Sequence, residues 1–255
     1  MKYLLLPFII VYRIYFAVVF FTVLTIMYPI FWVLLLNDKH FEKVFRLKVF
    51  TSRVILLLDF MFLKKIRVPE NLPNGPYVIC SNHCSYLDII QMYPILPHTK
   101  FMFIGKAELL RWPVLNIFFK KVDIAVNREK RHSAMRSIFR AKKEIQNGWS
   151  IVIFPEGGIP PNNPKLNPFK SGAFKMAIEE QVPILPITLI DTWRLFETNP
   201  PLTGMAHPGI SRVVIHDPIP TTGLTKKDLV NLRQQTFDVI NEPLMHYNKK
   251  AIEKL

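Results

Sequence analysis

Cysteine is scarce in this chain of 255 residues, which contains only Cys80 and Cys84. Two cysteines cannot build a disulfide framework, and these two lack the paired spacing of a zinc finger. The histidines other than His83 show no spacing typical of metal ligands. The sequence therefore indicates a protein of a reducing compartment whose fold depends on neither disulfides nor structural zinc.

Acidic residues are also few, with 19 Asp and Glu against 33 Lys and Arg, a formal charge of +14. Such an excess implies an anionic partner: nucleic acid, a phosphorylated metabolite or acidic lipid. Half of the residues are hydrophobic and 20 are Phe, which is unusual for a nucleic-acid binder but natural beside an anionic membrane. No recognisable nucleic-acid-binding module accompanies the basic residues. We therefore expect membrane lipids as partners and no nucleic acid.

Charge is absent from the 23 residues between Ile14 and Leu36. As a helix this run could cross a hydrocarbon layer of ~30 Å. It is too long for a secretory signal peptide and lacks the small-residue cleavage site. Pro29 divides it, and a second apolar run, from Val54 to Leu63, follows. Three interpretations remain: one transmembrane helix, two helices embedded in one leaflet as a hairpin, or a helix buried in a core.

The segment from Asn37 to Lys48 is rich in lysine and arginine. By the positive-inside tendency, it predicts that the body of the protein lies on the cytoplasmic side of the membrane. From about Ile66 the sequence changes to short β-like runs, and no internal repeat is visible. We predict a membrane anchor over residues 1–65 and a single domain with its own core over residues 66–255.

Residues 66–255 alternate strand-like and helical segments. Six apolar runs predict strands, at residues 76–81, 100–105, 122–126, 150–154, 183–190 and 212–216. Helical spacing predicts helices at residues 133–147 and 170–180, and a capping box of Thr225 and Asp228 begins a long C-terminal helix. This alternation indicates a layered α/β domain, with a central mixed sheet flanked by helices.

The stretch YVICSNHCSYLDII, residues 77–90, places His83 and Asp88 just after a strand-like run. Residues five apart on one helix are rotated by ~140°, so the two can pair only across a turn before a helix that begins near Ser85. Asp88 could instead form a capping box with Ser85. In the functional interpretation, the carboxylate holds one imidazole tautomer and makes the other ring nitrogen a general base. Cys84 is a weaker candidate, as a nucleophile, because neighbouring side chains usually diverge.

The stretch NHCSYLD resembles the first motif of the glycerolipid acyltransferases, the family that contains 1-acylglycerol-3-phosphate acyltransferase. Three blocks that resemble later motifs follow in the family's order: FIGKAELLRWPVLNIFFKKVDIAVNR, IVIFPEGG and FKSGAFKMAIEEQVPILPI. The resemblance covers residues 76–189. It implies an α/β acyltransferase fold, an acyl thioester donor on coenzyme A or acyl carrier protein, and no metal or other cofactor.

The resemblance also implies roles for particular residues. It makes His83 and Asp88 the catalytic pair. The implied substrate-binding residues are Lys106, Arg128, Glu156 and Gly157, and we add Lys170 as a nearby cation. Lys106 and Arg128 would hold phosphate groups and Glu156 would position the acceptor, while glycine at 157 would let the backbone approach a ligand closely. The plain alternative for the two cations is that they are solvated surface residues.

One position departs from the family's pattern. The third block usually continues from Phe-Pro-Glu-Gly into Thr-Arg, whereas this chain has Gly158 and Ile159 there. Lys165, Lys170 or Lys175 could replace the missing arginine. The expected reaction is acylation of the free hydroxyl of 1-acylglycerol 3-phosphate, which gives phosphatidic acid. The alternatives are acylation of a lyso-lipid without phosphate, such as an aminoacyl lipid, and a non-catalytic lipid-binding scaffold of the same fold.

Overall fold

The computed structural model describes residues 2–73, 75–112, 114–127 and 131–253. Within these ranges the α-helices are α1 (Lys2–Leu34), α2 (Phe41–Leu58), α3 (Leu87–Ile95), α4 (Asn116–Lys121), α5 (Arg131–Gln146), α6 (Gly172–Glu180), α7 (Thr192–Leu195) and α8 (Leu229–Ile252). The strands are β1 (Met61–Arg67), β2 (Val78–Ser81), β3 (Phe101–Lys106), β4 (Ile124–Val126), β5 (Ser150–Ile153), β6 (Ile184–Leu189) and β7 (Gly209–Ile215). Strands and helices alternate after β2, which confirms the predicted α/β class.

The seven strands form one mixed sheet in the order β1-β7-β6-β2-β5-β3-β4. All neighbouring pairs are parallel except β6 and β7. The carboxyl ends of β2 through β6 therefore meet at one edge of the sheet, together with the amino ends of β1 and β7. We call this the carboxyl edge and the opposite one the amino edge. Open sheets of this kind bind ligands at the carboxyl edge.

Helices cover both faces of the sheet. The connection from β2 to β3 runs in one direction across the sheet, and the connections from β4 to β5 and from β5 to β6 run back. Because parallel crossovers are right-handed, α3 lies on one face and α5 and α6 lie on the other. The helix α2 packs on α3, and α8 packs on α6. The N-terminal helices and α5 are therefore on opposite faces of the sheet.

Helix α1 packs against the protein from Ile9 to Phe31. A row of buried side chains marks its inner face: Ile9, Phe16, Val23, Leu24 and Phe31. Its outer face is also apolar but exposed, and only 22% of its most hydrophobic window is buried. Leu5–Leu34 is the one helix in the described ranges that is long and apolar enough to cross a membrane. Because an outer face of this composition is unfavourable in water, α1 is a membrane-associating helix and not a helix enclosed in a core.

The second apolar run, Val54 to Leu63, is divided between two elements. Helix α2 ends at Leu58, Phe60 has a left-handed φ of 54°, and β1 begins at Met61. Helix α2 does pair with α1, but its side chains Val44, Phe45 and Val49 enter the main core. The run is apolar because it includes the end of an amphipathic helix and the first residues of a strand.

Strands β2 to β7 each overlap one of the six predicted strands, whereas β1 is absent from the prediction. Its sequence, MFLKKIR, carries three basic residues and lacks a clear alternation of apolar and polar side chains. The predicted boundary between residues 65 and 66 falls inside β1, which pairs with β7. The central sheet therefore contains residues from both sides of that boundary.

A buried ion pair connects α2 to the far end of the sheet. Lys48 Nζ lies 2.6 Å from Asp123 Oδ2, with both side chains almost fully buried. The other carboxylate oxygen of Asp123 accepts the N–H of Phe103 on β3. The Lys48 ammonium also lies 4.8 Å from the ring centre of Phe118. Although Lys48 belongs to the basic segment 37–48 in sequence, its side chain is part of the core.

We predict that Lys48→Met lowers the unfolding free energy by about 3–5 kcal/mol, because it leaves the Asp123 carboxylate buried without a counter-ion. Adding Asp123→Asn should restore most of this loss, since the amide oxygen can still accept the N–H of Phe103. Lys100→Met breaks an exposed pair with Glu42 and should cost no more than about 1 kcal/mol. Denaturant unfolding in detergent measures all three, and equal losses for Lys48→Met and Lys100→Met would contradict the prediction.

Candidate active site

The loop after β2 folds around the carboxylate of Asp88. Asp88 Oδ2 lies 2.8 Å from His83 Nδ1 and accepts the backbone N–H groups of Cys84, at 2.6 Å, and Ser85, at 2.9 Å. Ser85 Oγ in turn accepts the N–H of Leu87, where α3 begins. The carboxylate of Asp88 therefore holds both the imidazole and the turn before α3. The full capping box expected with Ser85 does not form, because the N-cap is Tyr86, which makes no side-chain cap bond.

The arrangement leaves one nitrogen of His83 available for chemistry. A carboxylate only accepts hydrogen bonds, so Nδ1 carries the ring proton and Nε2 carries a lone pair. The ring stacks on Phe154 at 4.1 Å with an angle of 15° between the planes, and the side chain is only 13% exposed. Phe154, directly after β5, was not among the predicted site residues. The pair has the geometry of a general base oriented by a carboxylate.

Asn82 fixes the loop to the neighbouring strand and was also missed from the sequence. Its Oδ1 accepts the N–H of Leu189 at 2.8 Å, and its Nδ2 donates to the carbonyl of Leu189 at 2.9 Å. The amide side chain thereby continues the β2–β6 ladder, whose last paired residues are Ser81 and Ile187. A buried amide that satisfies a strand end in this way holds the position of His83 relative to the sheet. The available signal was its place directly before His83.

Glu156 connects the His83 loop to the proline-rich loop that follows β5. One of its carboxylate oxygens accepts the N–H of His83 at 2.9 Å, and the other accepts the N–H of Asn167 at 2.8 Å. Burial raises the pKa of Glu156 to about 7, although both backbone donors act to lower it. Both oxygens are thus occupied by backbone groups, so Glu156 positions the loop that carries His83. Its contact with an acceptor stays a prediction.

Lys170 lies over Gly157, directly beside Glu156. Gly157 has a left-handed φ of 85°, and a Cβ at this position would stand 2.6 Å from Lys170 Nζ. The backbone N–H of Lys170 donates to the carbonyl of Pro155 at 2.8 Å. The left-handed backbone conformation therefore favours glycine at 157, and the lysine side chain fills the space above it. Lys170 is exposed, so a cation stands at the rim of the site.

The other predicted cations have different settings. Lys106 ends β3 at the carboxyl edge and is exposed. Lys165 is exposed on the proline-rich loop, whereas Lys175 lies on α6, 3.8 Å from Glu179. Arg128 lies outside the described residues, so its role stays a prediction. The structure brings His83, Asp88, Glu156, Gly157 and Lys170 together, with Lys106 on the same edge of the sheet.

Cys84 lies in the interior of the protein, where it has a structural setting. Its thiol is buried, and Sγ lies 3.1 Å from the amide nitrogen of Asn82. Burial raises the pKa of Cys84 well above its usual value, and the nearby carboxylates of Asp88 and Glu156 raise it further. A thiol that resists ionisation is a poor nucleophile, which disfavours the cysteine hydrolase interpretation. Among the described residues, no group of three or more His, Cys, Asp and Glu is placed to hold a metal ion.

Comparisons with known proteins point to one family. A family model described as Acyltransferase matches residues 64–190. Human 1-acyl-sn-glycerol-3-phosphate acyltransferase beta is 30% identical over 192 residues, which are 74% of this chain and 67% of that protein. An uncharacterized acyltransferase of Schizosaccharomyces pombe is 32% identical over 202 residues, 78% of this chain and 70% of the relative. The chain belongs to this acyltransferase family.

Two further comparisons define how far the likeness to other members extends. A chloroplastic 1-acyl-sn-glycerol-3-phosphate acyltransferase of Brassica napus is 33% identical over 153 residues, and the chain spans less than half of it, 43%. The crystal structure of the 1-acyl-sn-glycerophosphate acyltransferase of Thermotoga maritima superposes with a TM-score of 0.73 at 21% identity. The superposition covers 96% of this chain and 97% of that one. It confirms the acyltransferase fold, with its helical N-terminal segment.

The raised pKa of Glu156 predicts a specific pH dependence of stability. The ordinary pKa of a glutamate is 4.5, so between pH 4.5 and about 7 the folded protein binds this proton more tightly than the unfolded chain does. The contribution of Glu156 to the unfolding free energy therefore falls as pH rises, by up to about 3 kcal/mol over this window. The isosteric Glu156→Gln variant cannot titrate at this position.

We therefore expect the wild type to lose stability relative to Glu156→Gln between pH 5 and pH 8. Denaturant titrations of both proteins at the two pH values, in the same detergent, measure the difference. At pH 5 the variant should be weaker than the wild type by about 1–3 kcal/mol, because its amide can accept only one of the two backbone N–H groups that the side chain of Glu156 accepts. This deficit should shrink or reverse by pH 8. Parallel pH profiles for the two proteins would contradict the predicted titration of Glu156.

Proposed function

We propose that the protein transfers an acyl group from a thioester of coenzyme A or acyl carrier protein to the free hydroxyl of 1-acylglycerol 3-phosphate. The product is phosphatidic acid, a precursor of phospholipids. The observation that carries the proposal is the free Nε2 of His83, held by Asp88 at the carboxyl edge with the Lys170 cation near it. The names of the human and chloroplastic relatives support the choice of acceptor.

In the proposed reaction His83 Nε2 takes the proton from the acceptor hydroxyl as that oxygen attacks the thioester carbonyl. Asp88 stabilises the imidazolium that forms. The tetrahedral intermediate then collapses and the C–S bond breaks. The imidazolium returns its proton to the departing sulfur, which leaves as the thiol, so the base is regenerated. Glu156 contributes by holding the backbone of His83 in place through both steps.

Cations at the carboxyl edge would bind the phosphate groups of the substrates. Lys170 is the cation nearest to the His83 loop through its packing on Gly157, and Lys106 lies on the same edge. We assign phosphate binding to these two residues and to Arg128. A lysine ammonium is a point charge and cannot form the two-pronged contact of an arginine. We therefore propose that Lys170 replaces the arginine that relatives carry where this chain has Ile159.

Both the acceptor and the product are lipids, which agrees with a membrane-associated protein. Because the inner face of α1 packs on the body of the protein, we propose that α1 embeds its outer face in one leaflet. The segment after it exposes Lys39, Lys43 and Arg46. These cations favour the cytoplasmic side for the catalytic domain.

The catalytic prediction is that His83→Ala lowers kcat by about 10²- to 10⁴-fold, because the general base is lost. Asp88→Asn should be similarly impaired, since its amide nitrogen can point at Nδ1 and favour the wrong tautomer. Thioester turnover with 1-acylglycerol 3-phosphate, followed by mass spectrometry of the lipid product, measures both. Cys84→Ala is the matched control and should remain active. An inactive Cys84→Ala beside an active His83→Ala would overturn the mechanism.

The acceptor prediction compares two lysines that are close in sequence. Lys170→Met should raise the KM for 1-acylglycerol 3-phosphate about 10- to 100-fold, corresponding to about 1.5–3 kcal/mol for a charged hydrogen bond. The KM for the thioester should change less. Lys175→Met is the control, because Lys175 is paired with Glu179 on α6, and it should leave both KM values unchanged.

A different acceptor would give a different pattern. The absence of arginine at position 159 favours, as a second candidate, an acceptor without phosphate, such as an aminoacyl lyso-lipid. In that case Lys170→Met would not change the acceptor's KM, and the uncharged lyso-lipid would turn over as fast as 1-acylglycerol 3-phosphate. That result would exclude phosphatidic acid synthesis but would leave acyl transfer by His83 and Asp88 in place.

A further inference from the structure

Helix α5 exposes a cluster of large apolar side chains that nothing in the described structure covers. Phe139 is 73% exposed, Met135 is 58% exposed and Ile138 is 43% exposed. Positions 135, 138 and 139 are adjacent on one side of a helix, while Ala141 and Ile145 face the core. Contiguous apolar patches on soluble surfaces usually mark sites of interaction. We call this side of the helix the α5 outer face.

The charges on the same face have one sign. Arg136 and Lys143 are exposed beside Phe139, and α5 as a whole carries five Lys and Arg against one Glu. Lys142 is different, because it pairs with Glu179 and Glu180 and so fixes α5 to α6. The outer face therefore combines bulky apolar groups at its centre with cations at its margin. That combination is typical of helices that lie on an anionic membrane surface.

The first half of α5, which carries Met135 and Ile138, lies on the side of the molecule where the site opens. The helix begins shortly after the carboxyl end of β4, so its first half lies at the carboxyl edge. Tyr86 and Trp112, which follow the carboxyl ends of β2 and β3, are also exposed there. Helix α1 reaches the same edge, where Phe16 contacts Phe196 at 4.7 Å, but it covers the opposite face of the sheet.

We propose that the α5 outer face is a second membrane-docking surface, which binds an anionic lipid leaflet. Met135, Ile138 and Phe139 enter the boundary between headgroups and acyl chains, while Arg136 contacts lipid phosphates. The proposal rests on the membrane association given under the proposed function. With α1 and α5 both on the leaflet, the carboxyl edge is held against it from both faces of the sheet. A lipid acceptor could then reach His83 without passing through water.

A lipid partner fits this surface better than an acidic protein does. The centre of the face is apolar, whereas recognition of an acidic protein would place cations there. Helix α1 already brings the chain to a membrane, so α5 meets lipid at high local concentration. A second copy of the chain is the other possible occupant, and the experiment distinguishes it.

Nitroxide labels test the depth of the α5 outer face directly. The only native cysteines, Cys80 and Cys84, are buried, so a single introduced cysteine can be labelled selectively. Phe139→Cys is the test site. Val230→Cys is the matched control, because Val230 is also exposed and lies close to Lys226 and Lys227. It is in the first turn of α8, at the amino edge. On vesicles with anionic lipid, the label at 139 should collide more often with oxygen than with an aqueous nickel chelate, and the label at 230 should do the reverse.

If the labels at 139 and at 230 both collided more often with the nickel chelate than with oxygen, the proposal would be overturned. Mutual broadening of the labels at 139 in detergent without vesicles would also overturn it, because it would show that a second copy covers the face. Neither result depends on turnover, so a failure of the proposed acyl transfer would appear separately in the activity assay.

A second variant tests the consequence for activity. Phe139→Glu should lower the apparent affinity for anionic vesicles about tenfold, because it removes apolar burial and adds a repelled charge. Acyl transfer to the same acceptor in detergent micelles should not change. If the variant lost the same fraction of its acyl transfer activity on vesicles and in micelles, the damage would lie in the fold or the site. That result would contradict a docking role.

Discussion

One carboxylate oxygen, Asp88 Oδ2, organises the site. It accepts the ring N–H of His83 and the backbone N–H groups of Cys84 and Ser85. These bonds bend the chain from β2 into α3 and select the tautomer of the imidazole at the same time. The turn that shapes the loop and the orientation of the His83 imidazole therefore have the same physical cause. Asn82 then fixes the loop to β6 by satisfying both backbone groups of Leu189.

A second buried carboxylate, Glu156, holds the same histidine from the other side. Its ionised form satisfies two backbone donors, yet its burial disfavours the charge. These opposing effects explain why a group that makes two good hydrogen bonds has a raised pKa. The site thus places two carboxylates around His83 in different roles: Asp88 acts on the ring, while Glu156 acts on the backbone and on the loop that presents Lys170.

Membrane association requires that apolar groups remain on the surface after the core is complete. Helix α1 meets this condition by presenting apolar side chains on both of its faces, so one face packs and the other stays exposed. Helix α5 presents a smaller apolar surface with cations at its margin. Together they place lipid contacts on both faces of one sheet, close to the edge where the parallel strands end. A soluble enzyme with this fold would have polar residues at those positions.

The sequence by itself determined the elements and groups whose signals are local. The alternation of strands and helices, the uncharged N-terminal run, and the spacing of His83 and Asp88 each occupy a short stretch, and the ordered blocks identify the family. Only the tertiary structure decided that β1 joins the sheet, that Lys48 is buried against Asp123, and that Glu156 holds His83. The partners in these contacts lie far apart in the chain, 75 residues for Lys48 and Asp123 and 73 for Glu156 and His83. Periodicity and spacing in the sequence depend on residues that are near neighbours in the chain, whereas such pairs depend on the spatial order of the strands in the sheet.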